Sequence, residues 1–336
     1  SGREAEAEFS DEKEQNVVTK QTEDELDSID TQSARERLEN GEADRQTEEM
    51  LSQVLTGDWE PLTPSSEEKQ PASERQSAQE RSVSVPDKSN AVNFHISDDR
   101  LGEGSPKEKF QRNVAAIRLL EQIEGENRYA TPQEQQILSQ YVGWGGLADA
   151  FDESKSNWSA EYHQLKELLS PEEYRMARES TLNAHYTSPV IIRQMYETLE
   201  KMGFSKGNVL EPSMGIGNFF GMMPDSMKES RLYGVELDSI TGRIARQLYP
   251  QADVQIKGFE KTDYPNDFFD VAIGNVPFGQ YKVADKQYDK NNFLIHDYFL
   301  AKTLDKVRPG GVVAFITSKG TMDKASPEVR RYLAQR

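Results

Sequence analysis

The sequence of 336 residues contains no cysteine and only four histidines. The absence of cysteine excludes disulfides, thiolate zinc sites and cysteine nucleophiles. The four histidines are too scattered along the chain to form a metal-binding motif. We therefore expect a protein without a metal site.

Long apolar segments are also missing. The mean hydropathy is -0.80, and no run approaches the roughly 18 apolar residues of a membrane-spanning helix. No basic segment followed by an apolar one opens the chain. We expect a cytoplasmic protein with no membrane partner. The chain begins at Ser1-Gly2 without methionine and stops at Gln335-Arg336 inside a predicted helix, so we expect an excised fragment.

Positive charge is scarce in the first hundred residues, where 26 acidic residues face 11 basic ones. This segment carries -15 of the net charge of -18, so the remainder is close to neutral at -3. It is also poor in aromatic and β-branched residues, and cannot bury enough apolar surface to offset its conformational entropy. We predict a disordered acidic tail over residues 1-104. Charge alone leaves a nucleic-acid partner open, because a local basic groove is compatible with a nearly neutral domain.

Three helix starts follow the tail. Ser105, Thr131 and Ser170 each precede a proline and stand three residues before a glutamate, which is the pattern of a capping box. We predict a helical subdomain over residues 105-184. Within it, the turn Gly143-Trp144-Gly145-Gly146 is compatible with a ligand contact, but a close-packed corner around a buried indole is the favoured interpretation.

After residue 185 short apolar strands alternate with helical segments, which is typical of a mostly parallel sheet. The predicted strands are 208-213, 231-238, 252-259, 269-275 and 310-318, and the predicted helices lie near 189-202, 239-248, 293-307 and 327-335. This order predicts a doubly wound α/β domain over residues 185-336. Ligands of such domains bind at the carboxyl ends of the strands.

The first strand ends in Glu211-Pro212-Ser213-Met214-Gly215-Ile216-Gly217. The two glycines would let the backbone approach a ligand before the chain turns into a helix. A phenylalanine occupies position 220, where a dinucleotide fingerprint has its third glycine, so pyrophosphate binding is disfavoured. The second strand ends in Glu236-Leu237. Glu236 could accept both hydroxyls of a ribose while Leu237 covers an adenine, or Glu236 could simply favour the start of the next helix.

The fourth strand delivers Asn275-Val276-Pro277-Phe278 onto a loop. The side-chain oxygen of Asn275 and the carbonyl of Val276 could accept both hydrogens of an exocyclic amine on a nucleobase, which would make its nitrogen more nucleophilic. Pro277 would stiffen the loop, and Phe278 would stack on a base swung out of its helix. A simple Asn-x-Pro turn is the alternative.

The order of these motifs resembles the N6-adenine DNA methyltransferases, whose donor is S-adenosylmethionine. "HYTSPVIIRQMY", with Tyr186 and Thr187, resembles their first donor motif; "VLEPSMGIGNFF", "YGVELD" and "NVPF" resemble the glycine, ribose and catalytic motifs. The resemblance implies a class I methyltransferase fold of the Rossmann-like type over residues 185-336. It also implies donor contacts from Glu211, Pro212, Gly215, Gly217, Glu236 and Leu237, and catalysis by residues 275-278.

A narrower resemblance reaches back to about residue 108. "YVGWGGLADAF", "LNAHYTSP" and "GNVPFGQYKV" are similar to the methylase region of large helicase-methylase fusion proteins of conjugative elements and phages. This resemblance implies a bacterial setting and a helicase region as partner in the parent chain. Two positions depart from the family: Val276 replaces the first of two prolines, and Gly258 replaces the acid that binds the donor's adenine, so Phe259 and Glu260 become the candidates there.

We therefore expect methyl transfer from S-adenosylmethionine to the N6 amine of adenine in DNA. An RNA adenine methyltransferase and a catalytically silent binding or scaffold module remain the alternatives. His296 and Asp297 are interpreted as helix-capping residues rather than a general base. The loop 279-292 alternates lysine with Tyr281 and Tyr288; it either closes over the substrate, tracking phosphates and stacking bases, or is an ordinary solvated loop.

Overall fold

The computed structural model describes residues 88-97, 100, 102-181 and 187-336. All of them belong to one compact unit, Leu51–Arg336. Most of the predicted acidic tail and Tyr186 lie outside the described residues. Residues 88-97, assigned to that tail from the sequence, pack against the folded unit instead. The Phe94 amide donates to the Leu248 carbonyl (2.7 Å) and the Ile96 amide to the Gly221 carbonyl (2.8 Å), and the Ile96 side chain is buried.

The amino-terminal part of the fold is helical, as predicted. Its helices are α1 (Pro106–Gly125), α2 (Pro132–Leu138), α3 (Ser159–Leu168) and α4 (Pro171–Ser180), with 3-10 turns at Ala148–Phe151 and Ser156–Trp158. The three predicted capping boxes are confirmed: Ser105, Thr131 and Ser170 each accept a hydrogen bond from the backbone of the glutamate three residues on, which bonds back. Each box satisfies two donors that a helix start would otherwise leave unpaired.

The rest of the described chain is a five-stranded parallel sheet flanked by helices. The strands are β1 (Asn208–Glu211), β2 (Arg231–Glu236), β3 (Asp253–Ile256), β4 (Phe269–Asn275) and β5 (Val307–Ile316). The helices are α5 (Pro189–Lys201), α6 (Asn218–Gly221), α7 (Ser239–Leu248), α8 (Ile295–Lys306), α9 (Gly320–Asp323) and α10 (Glu328–Ala334). The strand order is β3-β2-β1-β4-β5, with every pair parallel. The predicted doubly wound, Rossmann-like fold class is therefore confirmed.

The central strands are buried on both faces. Val209 and Val271 pack on one face with Ile192 of α5, while Leu210 and Ala272, their neighbours in sequence, pack on the other face. Successive side chains of a strand point to opposite faces, so the apolar runs of β1 and β4 contribute to two cores at once. A one-residue slip in register would move the side chains of each strand to the opposite face and disrupt the packing of both cores. The packing therefore fixes where these strands end.

The strand order also locates the crevice. The chain moves outward from β1 through β2 to β3, then crosses back to place β4 on the other side of β1. In open α/β sheets ligands bind where the strand order reverses in this way, at the carboxyl ends. Glu211 ends β1 and Asn275 ends β4, so these residues flank the crevice.

The amino-terminal helices are held against α7. The buried Gln135 amide donates to the carbonyls of Gln247 (2.9 Å) and Leu248 (3.3 Å), and the Gln247 side chain accepts from the Ala130 amide (2.9 Å). Arg243 of α7 pairs with Glu124 of α1 and Glu173 of α4 at 3.0 and 2.8 Å. The division of the chain at residues 184 and 185 stays a prediction.

Candidate active site

A cavity of about 270 Å³ lies at the carboxyl ends of β1, β2 and β4. The residues that line it stand at the ends of these three strands and in the segments that follow them, within residues 211-219, 236-241 and 275-278, together with Thr187. The remaining lining residues belong to the amino-terminal part of the fold: residues 141-144 and Ser180. The sheet therefore brings the predicted glycine motif, ribose acid and catalytic loop onto one cavity.

The two glycines of the loop after β1 serve different purposes. Both have positive φ angles, 56° at Gly215 and 90° at Gly217, a region that other residues rarely adopt. A Cβ at Gly217 would collide with the Tyr249 ring, whereas a Cβ at Gly215 would meet no atom within 4 Å. Gly217 is thus required by packing, and Gly215 gives the cavity a wall of bare backbone.

The Glu236 carboxylate fixes this loop. Its Oε2 accepts from the Gly215 amide (2.9 Å) and its Oε1 from the Asp238 amide (2.8 Å). The helix after β2 is capped by Asp238, whose side chain accepts from the Thr241 amide (2.8 Å). The alternative interpretation of Glu236 as the acid of the helix start is therefore not needed. Each of its oxygens retains capacity for one further hydrogen bond.

Glu211 places a second carboxyl group in the same cavity. It is 2% exposed, and its Oε2 is buried without a hydrogen-bond partner among the described residues. Burial, and then the nearby Glu236 carboxylate, raise the pKa of Glu211 well above its ordinary value. Burial likewise raises the pKa of Glu236 to about 7. Two acids with raised pKa values in one cavity are complementary to a ligand with a cationic or hydrogen-donating group.

The end of β4 forms the facing side. Asn275 pairs in register with Ile316 of β5, and the Val276 amide donates to the Ile316 carbonyl (3.1 Å). The Asn275 side-chain amide donates to the Thr187 hydroxyl (3.2 Å). Asn275, Val276 and Pro277 line the cavity, and Phe278 lines it with 37% of its side chain exposed. The turn therefore faces the cavity with an exposed ring at its edge.

Some predicted donor residues do not line the cavity. Pro212 and Gly217 lie within the glycine loop, and Leu237 is 62% exposed after β2. Phe259 is buried and packs on Phe299, with ring centroids 5.1 Å apart. Glu260 sits in the 3-10 turn Phe259–Lys261. Tyr186 lies outside the described residues, so its role stays a prediction.

Two features of the cavity go beyond the sequence prediction. For the turn at residues 143-146 the sequence favours a packed corner over a ligand contact; Trp144 is indeed buried and packs edge-on against Phe151 (5.3 Å), but Gly143 and Trp144 also line the cavity, together with Tyr141 and Val142. The glycines of this turn were the sequence signal that could have indicated its contact with the cavity. Ser180 and Thr241 also line the cavity, and neither stands in a motif that could have revealed it.

The helix-capping interpretation of His296 and Asp297 is wrong. The N-cap of α8 is Leu294, which makes no side-chain cap. Asp297 instead forms a buried ion pair with Lys324, and burial lowers the pKa of His296. Both side chains are buried, although they stand in the first turn of α8, directly after its first residue Ile295.

The loop 279-292 is anchored to α8. Asp285 accepts from the Tyr298 hydroxyl (2.7 Å) and from the buried Lys302 ammonium (3.1 Å). Tyr288 is 2% exposed, and its hydroxyl donates to Asp305 (2.8 Å). The expectation that Tyr288 stacks on a base is therefore wrong, whereas Tyr281 is exposed. Lys302 also donates to the Phe259 carbonyl (2.8 Å), which ties the loops after β3 and β4 together.

Within the described ranges no cluster of three His, Asp or Glu side chains could hold a metal ion. None of the helices described is both long and apolar enough to cross a membrane.

Comparison with known proteins gives two curated relatives. The chain is 30% identical over 221 residues to the "Defense against restriction protein B" of Escherichia phage P1, a match that covers 64% of this chain and 8% of the phage protein. It is 27% identical over 151 residues to an rRNA N(6)-adenosine-methyltransferase of Caenorhabditis elegans, covering 42% of this chain and 66% of the nematode protein. The match thus spans less than two thirds of either relative. No family model matches.

Among solved structures, a protein of Listeria monocytogenes described as a class I S-adenosylmethionine-dependent methyltransferase is 16% identical, with a TM-score of 0.37. The match covers 68% of this chain and 77% of that one. The fold class of the present chain rests on its own strand order and parallel pairing.

Proposed function

We propose that the protein transfers a methyl group from S-adenosylmethionine to the N6 amine of adenine in a nucleic acid, with DNA as the substrate. The observation that carries this proposal is the placement of Asn275 on the same cavity as Glu211, Gly215 and Glu236. Methyl transfer requires the methyl donor and the acceptor amine to meet in one place. The glycine loop at the end of β1 would bind the donor, and the polar amide at the end of β4 would bind the amine.

The residues present fit the donor. The orphaned Oε2 of Glu211 can accept from the ammonium group of a methionine moiety, and the Glu236 oxygens can accept from ribose hydroxyls. The bare backbone at Gly215, where a Cβ would point into open space, leaves room for a ligand to approach. S-adenosylmethionine supplies a methyl group on a sulfonium, which is electrophilic without a metal.

The acceptor side relies on hydrogen bonding. The Asn275 amide nitrogen is directed to Thr187, so its oxygen is the atom left for the substrate. Together with the Val276 carbonyl, it would accept both hydrogens of the N6 amine. Phe278, with 37% of its side chain exposed at the cavity, would stack on the flipped base. These residues bind and orient the amine. Its nitrogen loses one proton to solvent during or after methyl transfer, so no strong general base is needed.

The relatives bear on the substrate. The phage protein is named for defence against restriction, and the match to it is the longer one; together with the resemblance of the motifs to N6-adenine DNA methyltransferases, this supports DNA as the proposed substrate. The nematode relative is named for rRNA, which favours RNA as the second candidate. We further propose that this chain acts beside a helicase region in a longer protein; the small share of the phage relative that is matched is compatible with further domains.

The test begins with calorimetric titration of S-adenosylmethionine and S-adenosylhomocysteine, followed by transfer of labelled methyl to duplex DNA and to structured RNA. Asn275→Ala should abolish transfer and keep donor binding, because Asn275 belongs to the acceptor side. Asn157→Ala is the matched control, since Asn157 is exposed and does not line the cavity. Donor binding without transfer to either nucleic acid would favour the silent scaffold, and absence of donor binding would refute the proposal.

A further inference from the structure

The turn at residues 141-144 borders the cavity near the carboxyl end of β2. Tyr141, Val142, Gly143 and Trp144 all line it, as do Glu236, Asp238 and Thr241. The turn follows α2 in the amino-terminal part of the fold, so the cavity is not contained in the sheet domain alone.

The turn is held rigidly by a single buried side chain of α1. Asn113 is fully buried; its Nδ2 donates to the Gly143 carbonyl (2.6 Å), and its Oδ1 accepts from the Val142 amide (2.9 Å). Buried amides with both ends bonded fix the local backbone strongly, since losing one bond leaves a polar group unpaired. Gly143, with φ of 71°, completes the tight conformation.

The same turn lies beside the ribose end of the cavity. Burial raises the pKa of Tyr141 above its ordinary value, and the Asp238 carboxylate raises it further, whereas a hydrogen bond with Thr241 lowers it. Tyr141 therefore sits next to the segment that follows Glu236. Glu211 and Asn275, by contrast, mark the end of the cavity where β1 meets β4.

We propose that the turn Tyr141–Trp144 covers the adenosine half of the donor, so that S-adenosylmethionine is bound between the amino-terminal helices and the sheet. This inference rests on the proposed function and extends it, because it makes the helices part of the donor site. A corner that served packing alone would need the buried Trp144 but would have no reason to present Val142 to the cavity. The half-buried Val142 is the residue that distinguishes the two roles.

The test is a steric one. Val142→Phe adds a ring to the cavity wall while the backbone bond from residue 142 to Asn113 is kept. We expect affinity for S-adenosylhomocysteine, measured by calorimetry, to fall at least about tenfold, because a filled pocket must be reopened. Val92→Phe is the matched control, since Val92 is 57% exposed and lies outside the cavity; its affinity should equal that of the unaltered chain.

A second measurement covers the case in which Val142→Phe lowers stability. Hydrogen exchange of the unaltered chain should show added protection of the amides at residues 141-146 when S-adenosylhomocysteine binds. Unchanged affinity in a folded Val142→Phe variant, or binding without protection of that turn, would overturn the inference and leave the proposed function standing. Absence of binding by the unaltered chain would overturn both.

Discussion

The side-chain amide of Asn275 donates a hydrogen bond to the hydroxyl of Thr187 at 3.2 Å. This bond joins the end of β4 to Thr187, two residues before the first residue of α5, and the two partners are 88 positions apart in the chain. Helix α5 is itself well anchored, because the Tyr196 hydroxyl donates to the Phe219 carbonyl (2.6 Å). Thr187 lines the cavity, so the donor contact predicted from its motif stays a prediction; we propose in addition that its hydroxyl positions the Asn275 amide.

Thr187→Val should lower kcat for methyl transfer about tenfold to a hundredfold, because loss of the hydroxyl frees the Asn275 amide to rotate and small misplacements are costly. Donor affinity should stay unchanged. Thr187→Ser keeps the hydroxyl and should retain most of the activity. Steady-state kinetics together with calorimetry on both variants check this expectation. Weakened donor binding with normal kcat would show instead that Thr187 belongs to the donor site.

The two glycines of the donor loop should respond differently to alanine. At Gly217 the added methyl collides with the Tyr249 ring and the residue must hold a φ of 90°, so Gly217→Ala should destabilise the fold by about 2–4 kcal/mol. At Gly215 there is space, so Gly215→Ala should cost about 1 kcal/mol of strain and mainly weaken donor binding. Urea denaturation and calorimetry separate the effects. Equal loss of stability in both variants would contradict the assignment of Gly215 to the cavity wall.

Much of the fold could be predicted from the sequence because the signals are local. Capping boxes and apolar strand runs are properties of a few adjacent residues, and the alternation of strands with helices is typical of a doubly wound parallel sheet. The placement of Asn275 near Glu211 could also be predicted, because carboxyl ends of neighbouring parallel strands meet at one edge.

The remaining features depend on contacts between distant segments. That Thr187 bonds Asn275, or that residues 141-144 reach the cavity, follows from how the helices dock on α7 through Gln135 and Arg243. Tyr288 was misjudged for the same reason: its polar neighbours in sequence suggested exposure, but its partner Asp305 lies on α8. Such pairings have no local pattern from which they could be inferred.

Donor binding should depend on pH through the two carboxyl groups of the cavity. Burial raises the pKa of Glu236 to about 7 and that of Glu211 well above its ordinary value, so near neutral pH protons compete with the donor for these groups. A cationic donor prefers the ionised groups, so its affinity should fall about tenfold per pH unit as pH decreases below about 7. Glu236→Gln removes one titrating group and should flatten the profile. Calorimetry between pH 6 and 8.5 measures it, and a flat profile for the unaltered chain would contradict the expectation.

The same two carboxyl groups should lower the stability of the fold as pH rises, whereas they raise the affinity for the donor. A carboxyl whose pKa is raised in the folded state binds its proton more tightly there than in the unfolded chain, so folding is favoured at low pH and loses this contribution as pH rises toward about 7. The melting temperature of the free protein should therefore decrease from pH 5 to pH 7.5, and decrease less in Glu236→Gln. Saturating S-adenosylmethionine should offset the decrease.

The three lysines of the loop 279-292 should contribute to nucleic-acid binding. Lys282, Lys286 and Lys290 are exposed on a loop that follows residues 275-278 and is anchored through Asp285, so under the proposed function their charges lie near the path of the substrate. Replacing all three by glutamine should reduce the magnitude of the negative slope of log K against log salt by up to about 3, since each phosphate contact contributes roughly 1.

The same replacement at Lys201, Lys206 and Lys228 is the control, because these exposed lysines precede β1 and β2 at the opposite edge of the sheet. Fluorescence anisotropy with a labelled duplex at several salt concentrations measures both slopes. Equal slopes for the two triple variants would show that the loop is ordinary solvated surface.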